Sequence, residues 1–320
     1  MKTPPKIGNL EIKSVTEDII LIHQVKPPFY FSCCDGLIIL PKKGRNSNTV
    51  ILDVNIEPYL IKKINSLFGP ISDYVCTHCH MDHIAHVHQW ESLGAAIYTP
   101  IPEDKYLLDL QNFYEGFGFK NAMNFSVVKK FADLNGYQAC NNVNPFNPGE
   151  TLEFEDLIIE TLPFSGHSKA HIGFLLPEQR IIHISCLGFD KHSINEDGFG
   201  PWYGFEQCSI DQYLKDIDVC ESIFLEKSDI LTSSHSYIVK KSDITPFTYM
   251  REKIEKNQSI VDQAIITLKE SNKFHPDIDK FLELDLFFPK KRMKGFLREI
   301  YNYWETGFIT KHIERSNYLI

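Results

Sequence analysis

Apolar and polar positions change their period several times along the chain. "GLIIL" (36–40) and "TVILDV" (49–54) read as short strands, separated by the turn formers of "PKKGRNSN". "PYLIKKINSLF" (58–68) follows with helical spacing, placing Leu60, Ile64, Leu67 and Phe68 on one face. Gly69-Pro70 closes it, and "ISDYVC" opens another strand. After Glu150 the pattern is strand-dense, through "TLEFEDLIIETLPF", "IGFLLP" and "RIIHISCLGF", and then runs into the glycine-rich aromatic loop "DGFGPWYGF". Ser209 to Leu225 reads as a helix, with Ser209 and Gln212 set as a capping box and Ile210, Tyr213, Leu214, Ile217 and Cys220 on its apolar side. "DILTSSHSYIV" returns to a strand. From about Pro246 the chain becomes charged, amphipathic and helical, which predicts one α/β unit over residues 1–245 and a C-terminal helical subdomain over 246–320.

The chain has 320 residues, of which 43% are hydrophobic and 23% charged, enough apolar material for a sizeable core. A net charge of -9 disfavours nucleic acid and anionic membranes as partners. No apolar run approaches the ~18 residues of a bilayer span. The opening "MKTPPKIGNLEIK" lacks the apolar core of a signal peptide. Eight cysteines spread over such a chain are expected as reduced thiols in a cytoplasm, and Cys76 with Cys79 forms a C-x-x-C that has no matching second pair. A homo-oligomeric state is left open.

The densest chemistry lies in "VCTHCHMDHIAH" (75–86). His78 and His80 are two residues apart, so an extended loop turns both imidazoles to one side, toward one metal ion. Asp82 and His83 follow at once and can face a second ion as the loop turns. Neutral imidazole suits zinc and iron, and the carboxylate adds an anionic ligand. His86 and His88 are expected in solvated or supporting roles, and His183 as a hydrogen-bonded core residue.

"HCHMDH" resembles the H-x-H-x-D-H signature of the metallo-β-lactamase-fold superfamily, and other segments agree with it in order. "ILDVN" is similar to the strand ending in aspartate before the signature, which makes Asp53 a loop-organising residue. "SGHSKAHIGF" resembles the next motif, with His167 as third histidine of the first metal, Ala170 where glycine is usual, and His171 as a histidine that is not normally a ligand. "TSSHS" resembles the last motif and puts His235 on the second metal with Asp82 and His83. The resemblance covers roughly residues 8–240. It implies an α/β fold, the αββα sandwich, with the site at one edge between the sheets and the C-terminal helices as an appendage.

"RIIHISCLGFD" departs from the family pattern, in which a strand ends in Gly-Asp and the aspartate bridges both metals. Register places Ser185 at the glycine and Cys186 at the aspartate. A thiolate is a good zinc ligand at ~2.3 Å, and some β-lactamases of the superfamily place a cysteine on the second metal here. Asp190 is the fallback ligand, and the bland alternative is that Cys186 is only a small buried residue.

What the resemblance implies is hydrolysis by a metal-bound hydroxide, with Asp82 orienting it and taking its proton. One or two zinc ions per chain are expected, with iron as the alternative. Among substrates, an ester, thioester, lactone or β-lactam-type acyl bond in a small molecule fits best. Nuclease relatives carry an inserted domain for which there is no room between His167 and His235, lactonases have a tyrosine where this chain has Phe189, and flavin-associated relatives have a glutamate at His80. A mononuclear iron oxygenase acting on thiols or persulfides, and a metal-binding protein impaired by Cys186, are the alternatives. In "FGPWYG" (199–204), Trp202 and Tyr203 either line an apolar substrate pocket, with Tyr203 donating a hydrogen bond, or anchor the loop against the C-terminal helices. The C-terminal segment resembles the helical roof of several hydrolase relatives, and the basic run 290–294 is expected to be solvated.

Overall fold

Strands that are apolar at every position supply two layers at once, because successive side chains leave a strand on opposite faces. A computed structural model describes residues 7–27, 32–42, 48–188, 201–235, 237–241, 243–270, 278–288 and 293–316. Phe189, Asp190 and residues 290–292 of the basic run lie outside the described residues.

The first sheet follows chain order: β1 (Leu10–Ser14), β2 (Ile19–Gln24), β3 (Gly36–Ile39), β4 (Thr49–Leu52), β5 (Ile71–Val75), β6 (Ala96–Pro100) and β7 (Asn144–Phe146). Its first four strands pair antiparallel, and β4 to β7 pair parallel. Parallel strands require crossovers. These are α1 (Pro58–Phe68), then α2 (Met81–Ile84) with α3 (Val87–Ser92), then α4 (Asp104–Leu108), α5 (Leu110–Gly116) and α6 (Phe125–Asn135).

The second sheet comprises β8 (Thr151–Phe154), β9 (Leu157–Pro163), β10 (Ile172–Leu176), β11 (Ile181–His183), β12 (Ile230–Thr232) and β13 (Ile238–Lys240), hydrogen-bonded in that order. Helix α7 (Ile210–Lys227) carries the chain from β11 to its parallel neighbour β12. Ser209 caps it, its hydroxyl accepting from the Gln212 amide at 3.2 Å. Helices α8 (Thr245–Glu270), α9 (Ile278–Leu282) and α10 (Phe296–Arg315) complete the described chain.

Period two sorts the strand residues between the layers. Leu37, Leu52, Phe174 and Ile181 meet in a core between the sheets. Their neighbours Ile38, Ile51, Leu175 and Ile182 face a separate core that packs the helices. The result is helix, sheet, sheet, helix: the αββα sandwich. Phe247, Ile254, Trp304 and Phe308 of α8 and α10 join the same helical core as Trp90 and Trp202. No helix among the described residues is long and apolar enough to cross a membrane.

Two details differ from the sequence expectation. On α1 the buried face is Leu60, Ile61 and Ile64, while Leu67 is 45% exposed. Leu67 lies at the edge of that arc at 3.6 residues per turn, and Ile61 replaces it. The strand predicted through "RIIHISCLGF" stops at His183. Ser185 has a φ of +50°, a left-handed conformation that turns the chain away from the sheet edge.

Candidate metal centre

The site forms where β4, β5 and β11 end, at one edge of the sandwich. After β5 the loop runs extended through His80, the N-cap of α2, and all of Met81 to Ile84 are buried. His78 and His80 therefore meet His167 from the loop before β10, and the ligand atoms of all three lie within 4.8 Å of one another.

Hydrogen bonding settles which nitrogens face the common point. The Thr77 hydroxyl donates to Asp53, so the contact of 3.1 Å between Thr77 Oγ1 and His78 Nδ1 has the imidazole as donor. His167 Nδ1 lies 2.8 Å from the Trp202 carbonyl, which can only accept. Both Nε2 atoms are thus left as acceptors, and they face each other at 3.2 Å. His80 Nε2 is buried without a hydrogen-bond partner among the described residues. Two Nε2 acceptors facing each other, with a ring nitrogen of His80 within 4.8 Å of both, match the needs of a cation. Burial and the neighbouring imidazoles hold His78 and His167 well below the usual histidine range, and burial does the same to His80, so all three are neutral and ligand-competent.

A second group stands beside the first. Asp82, His83, Cys186 and His235 also bring their ligand atoms within 4.8 Å of one another. Cys186 Sγ lies 3.0 Å from His83 Nε2 and 3.0 Å from His235 Nε2, and His83 Nε2 lies 3.8 Å from Asp82 Oδ2. The turn at Ser185 delivers Cys186 here, and the Tyr213 hydroxyl of α7 holds its carbonyl at 2.9 Å. A positive φ where the resemblance sets a glycine supports the register that puts Cys186 at the aspartate position. Burial pushes the Cys186 thiol up to about 12, so ionisation there requires a nearby cation. Burial alone would lower His83, but the buried carboxylates of Asp53 and Asp82 beside it favour its charged form and push it upward. Surroundings that favour charge on His83 equally favour a bound cation. Asp82 is raised by burial against the opposing pull of His83.

Asp53 organises the loops. Fully buried, it accepts from the Thr77 amide at 2.9 Å, from His83 Nδ1 at 3.1 Å and from the Ser185 hydroxyl at 3.2 Å. A residue the sequence reading missed works similarly. Buried Glu103 accepts from the Cys79 amide at 2.8 Å and the Ala170 amide at 3.2 Å, tying the His78–His80 loop to the His167 loop. Its partners are 24 and 67 residues away, so no local spacing announces it. Cys76 and Cys79 belong to neither ligand group, and Cys79 Sγ donates instead to the Glu103 carbonyl at 3.2 Å.

The expected aromatic pair is split. Trp202 lines a small cavity with His80, Met81, Asp82, Phe113, Phe131, Phe205 and Trp304. Its ring centroid is 5.1 Å from that of His80. Tyr203 is not part of this wall: its hydroxyl accepts from Asn257 Nδ2 at 2.8 Å, lies 2.8 Å from His312 Nε2, and its ring stacks on Phe308. Of the two expected arrangements, Tyr203 therefore takes the one that anchors the loop, because α8 and α10 already engage that hydroxyl. The cavity leaves about 20 Å³ to a water-sized sphere, room for roughly one water.

Of the remaining histidines, His183 bonds Thr232 and Ser234 in the core as expected. His86 is buried, with neither ring nitrogen partnered among the described residues, contrary to a solvated role, because α2 and α3 turn it inward. His312 has its pKa pulled down to about 3, mainly by burial. Below pH ~6.5 the unfolded chain then takes up a proton that folded His312 refuses, so stability falls with pH by up to ~1.4 kcal/mol per unit from this group. Urea titrations at pH 7.5 and pH 5.0 should show a smaller loss in His312→Gln than in the wild type.

No family model matches the sequence, and no curated protein matches it. Solved structures do. A metallo-β-lactamase family protein from Thermus thermophilus aligns over 94% of this chain and 94% of its own, with 14% identity and a TM-score of 0.64. A metallo-β-lactamase from Pontibacter korlensis aligns over 76% of this chain and 98% of its own, at 17% identity and a TM-score of 0.53. FIM-1 from Pseudomonas aeruginosa, in its mono-zinc form, aligns over 79% of this chain and 97% of its own, at 16% identity and a TM-score of 0.53. The chain has the metallo-β-lactamase fold. Identities this low carry the fold alone, and activity has to be argued from the side chains.

Proposed function

We propose that this protein is a metal-dependent hydrolase that cleaves an ester, thioester, lactone or β-lactam-type acyl bond in a small molecule. One observation carries the reading: three buried imidazoles bring ring nitrogens within 4.8 Å of one another, the facing Nε2 atoms of His78 and His167 both left as acceptors, next to a carboxylate–imidazole–thiol group. His78, His80 and His167 would hold a first divalent ion, and Asp82, His83, Cys186 and His235 a second. A bound ion supplies Lewis acidity and lowers the pKa of a coordinated water from ~16 toward ~7.

The chain's own residues do the rest. Asp82, whose affinity for protons is raised by burial, is placed to orient the attacking water and take its proton. Asp53 and Thr77 keep His83 and His78 in the tautomers that present Nε2. Trp202, Phe205 and Trp304 exclude bulk water from the same cavity. With room for roughly one water, the cavity has to widen at this aromatic wall before an acyl group enters.

A thiol in place of a bridging carboxylate favours a soft, borderline ion such as zinc in the second group. Elemental analysis of anaerobically purified protein tests this. Two zinc ions per chain are expected in the wild type and one in Cys186→Ala. A single iron, unchanged by the substitution, would remove the hydrolase reading in favour of oxygen chemistry.

A further inference from the structure

Behind the cavity lies a second concavity that this mechanism does not use. It is an open groove of about 610 Å³, against about 20 Å³ at the metal cavity, and it falls within the usual range of small-molecule sites. Phe117 forms the partition between them, its ring centroid 5.2 Å from that of His80 on one side and 5.0 Å from that of Tyr106, which lines the groove, on the other.

The segment "EGFGFK" (115–120) builds this partition by alternation. Phe117 and Phe119 are fully buried, whereas Gly116, Gly118 and Lys120 line the groove. A side chain on Gly116 would strike the Tyr106 ring, and one on Gly118 would meet the Glu206 carboxylate at 2.6 Å. The two glycines thus let neighbouring side chains lie flat and keep the groove open.

Its charge is unusual for a protein of net charge -9. Lys105, Lys120 and Lys169 all line the groove, all are exposed, and none has an ion pair among the described residues. The groove's two glutamates keep their charge but are oriented by amide donors rather than by these lysines: Glu206 by Asn121 at 2.8 Å and Glu115 by Gln111 at 2.7 Å. Three ammonium groups against two carboxylates leave the lining of this concave polar surface net positive, in a molecule whose overall charge is -9.

We propose that this groove binds a small organic polyanion, a phosphate ester or a polycarboxylate, through Lys105, Lys120 and Lys169. The site does not depend on the hydrolase reading, because none of its lysines belongs to either ligand group.

The test is calorimetric titration of the full chain at low ionic strength with fructose 1,6-bisphosphate and, separately, tricarballylate. Saturable binding with a Kd of ~1 mM or tighter to at least one is expected. It should weaken at least tenfold in the Lys105→Ala/Lys120→Ala/Lys169→Ala variant, and similarly when salt rises from ~0.03 to ~0.3 M. The corresponding triple arginine variant should bind, which separates charge from folding, and His78→Ala should bind as the wild type does. Binding of the bisphosphate alone identifies a phosphate ester, and of tricarballylate alone a polycarboxylate. Binding of neither, or binding lost in His78→Ala and kept in the triple alanine variant, overturns the proposal.

Discussion

Asp82→Asn is expected to lower turnover of an acyl substrate by about 10²–10⁴-fold, the usual contribution of a positioned acid–base group. Asp82 sits in the first turn of α2, is buried, and lines the cavity next to His80. The amide preserves volume but cannot take a proton. It leaves His78, His80 and His167 untouched, so metal held by that group should persist while the pH dependence of the remaining activity changes. Elemental analysis alongside pH–rate profiles checks both. Turnover that falls only with metal content would make Asp82 a ligand and nothing more.

Trp304→Ala should destabilise the fold by about 3–5 kcal/mol, as expected for truncating a large buried aromatic. Trp304 is 3% exposed and packs its ring against Trp202 at 5.9 Å, Phe131 at 5.8 Å and Tyr301 at 5.1 Å. It is also a wall of the metal cavity and supplies no ligand atom to either group. The variant should therefore keep its metal, unfold at lower urea, and shift its preference toward bulkier acyl groups because the cavity is larger. Urea denaturation and kcat/KM across a series of acyl chain lengths measure the two effects. A loss below ~1 kcal/mol would show that α10 contributes little to the core.

Much of the site was legible because its parts are local. H-x-H-x-D-H places four donors within six residues, and a short extended loop running into a helix presents them in only a few ways. Ser185 was readable as the glycine position, and its φ of +50° agrees with that register. Asp53 was also placed correctly as a loop organiser, although its individual partners were not foreseeable.

The tertiary structure decided the rest. "WYG" presents two adjacent aromatics as equivalent candidates, yet Trp202 faces the cavity while Tyr203 is engaged by Asn257 and His312 from α8 and α10. Glu103 is one acid among 42 acidic residues until folding sets it between two loops. Lys105, Lys120 and Lys169 look like ordinary solvated lysines in the chain and share one groove only in three dimensions. By itself the sequence determined the strand alternation, the fold class and the candidate metal donors, since period and short spacing follow from backbone geometry. Which side chain faces the cavity and which carboxylate ties the loops was left to packing, because those pairings join residues far apart in the chain and depend on how the layers meet.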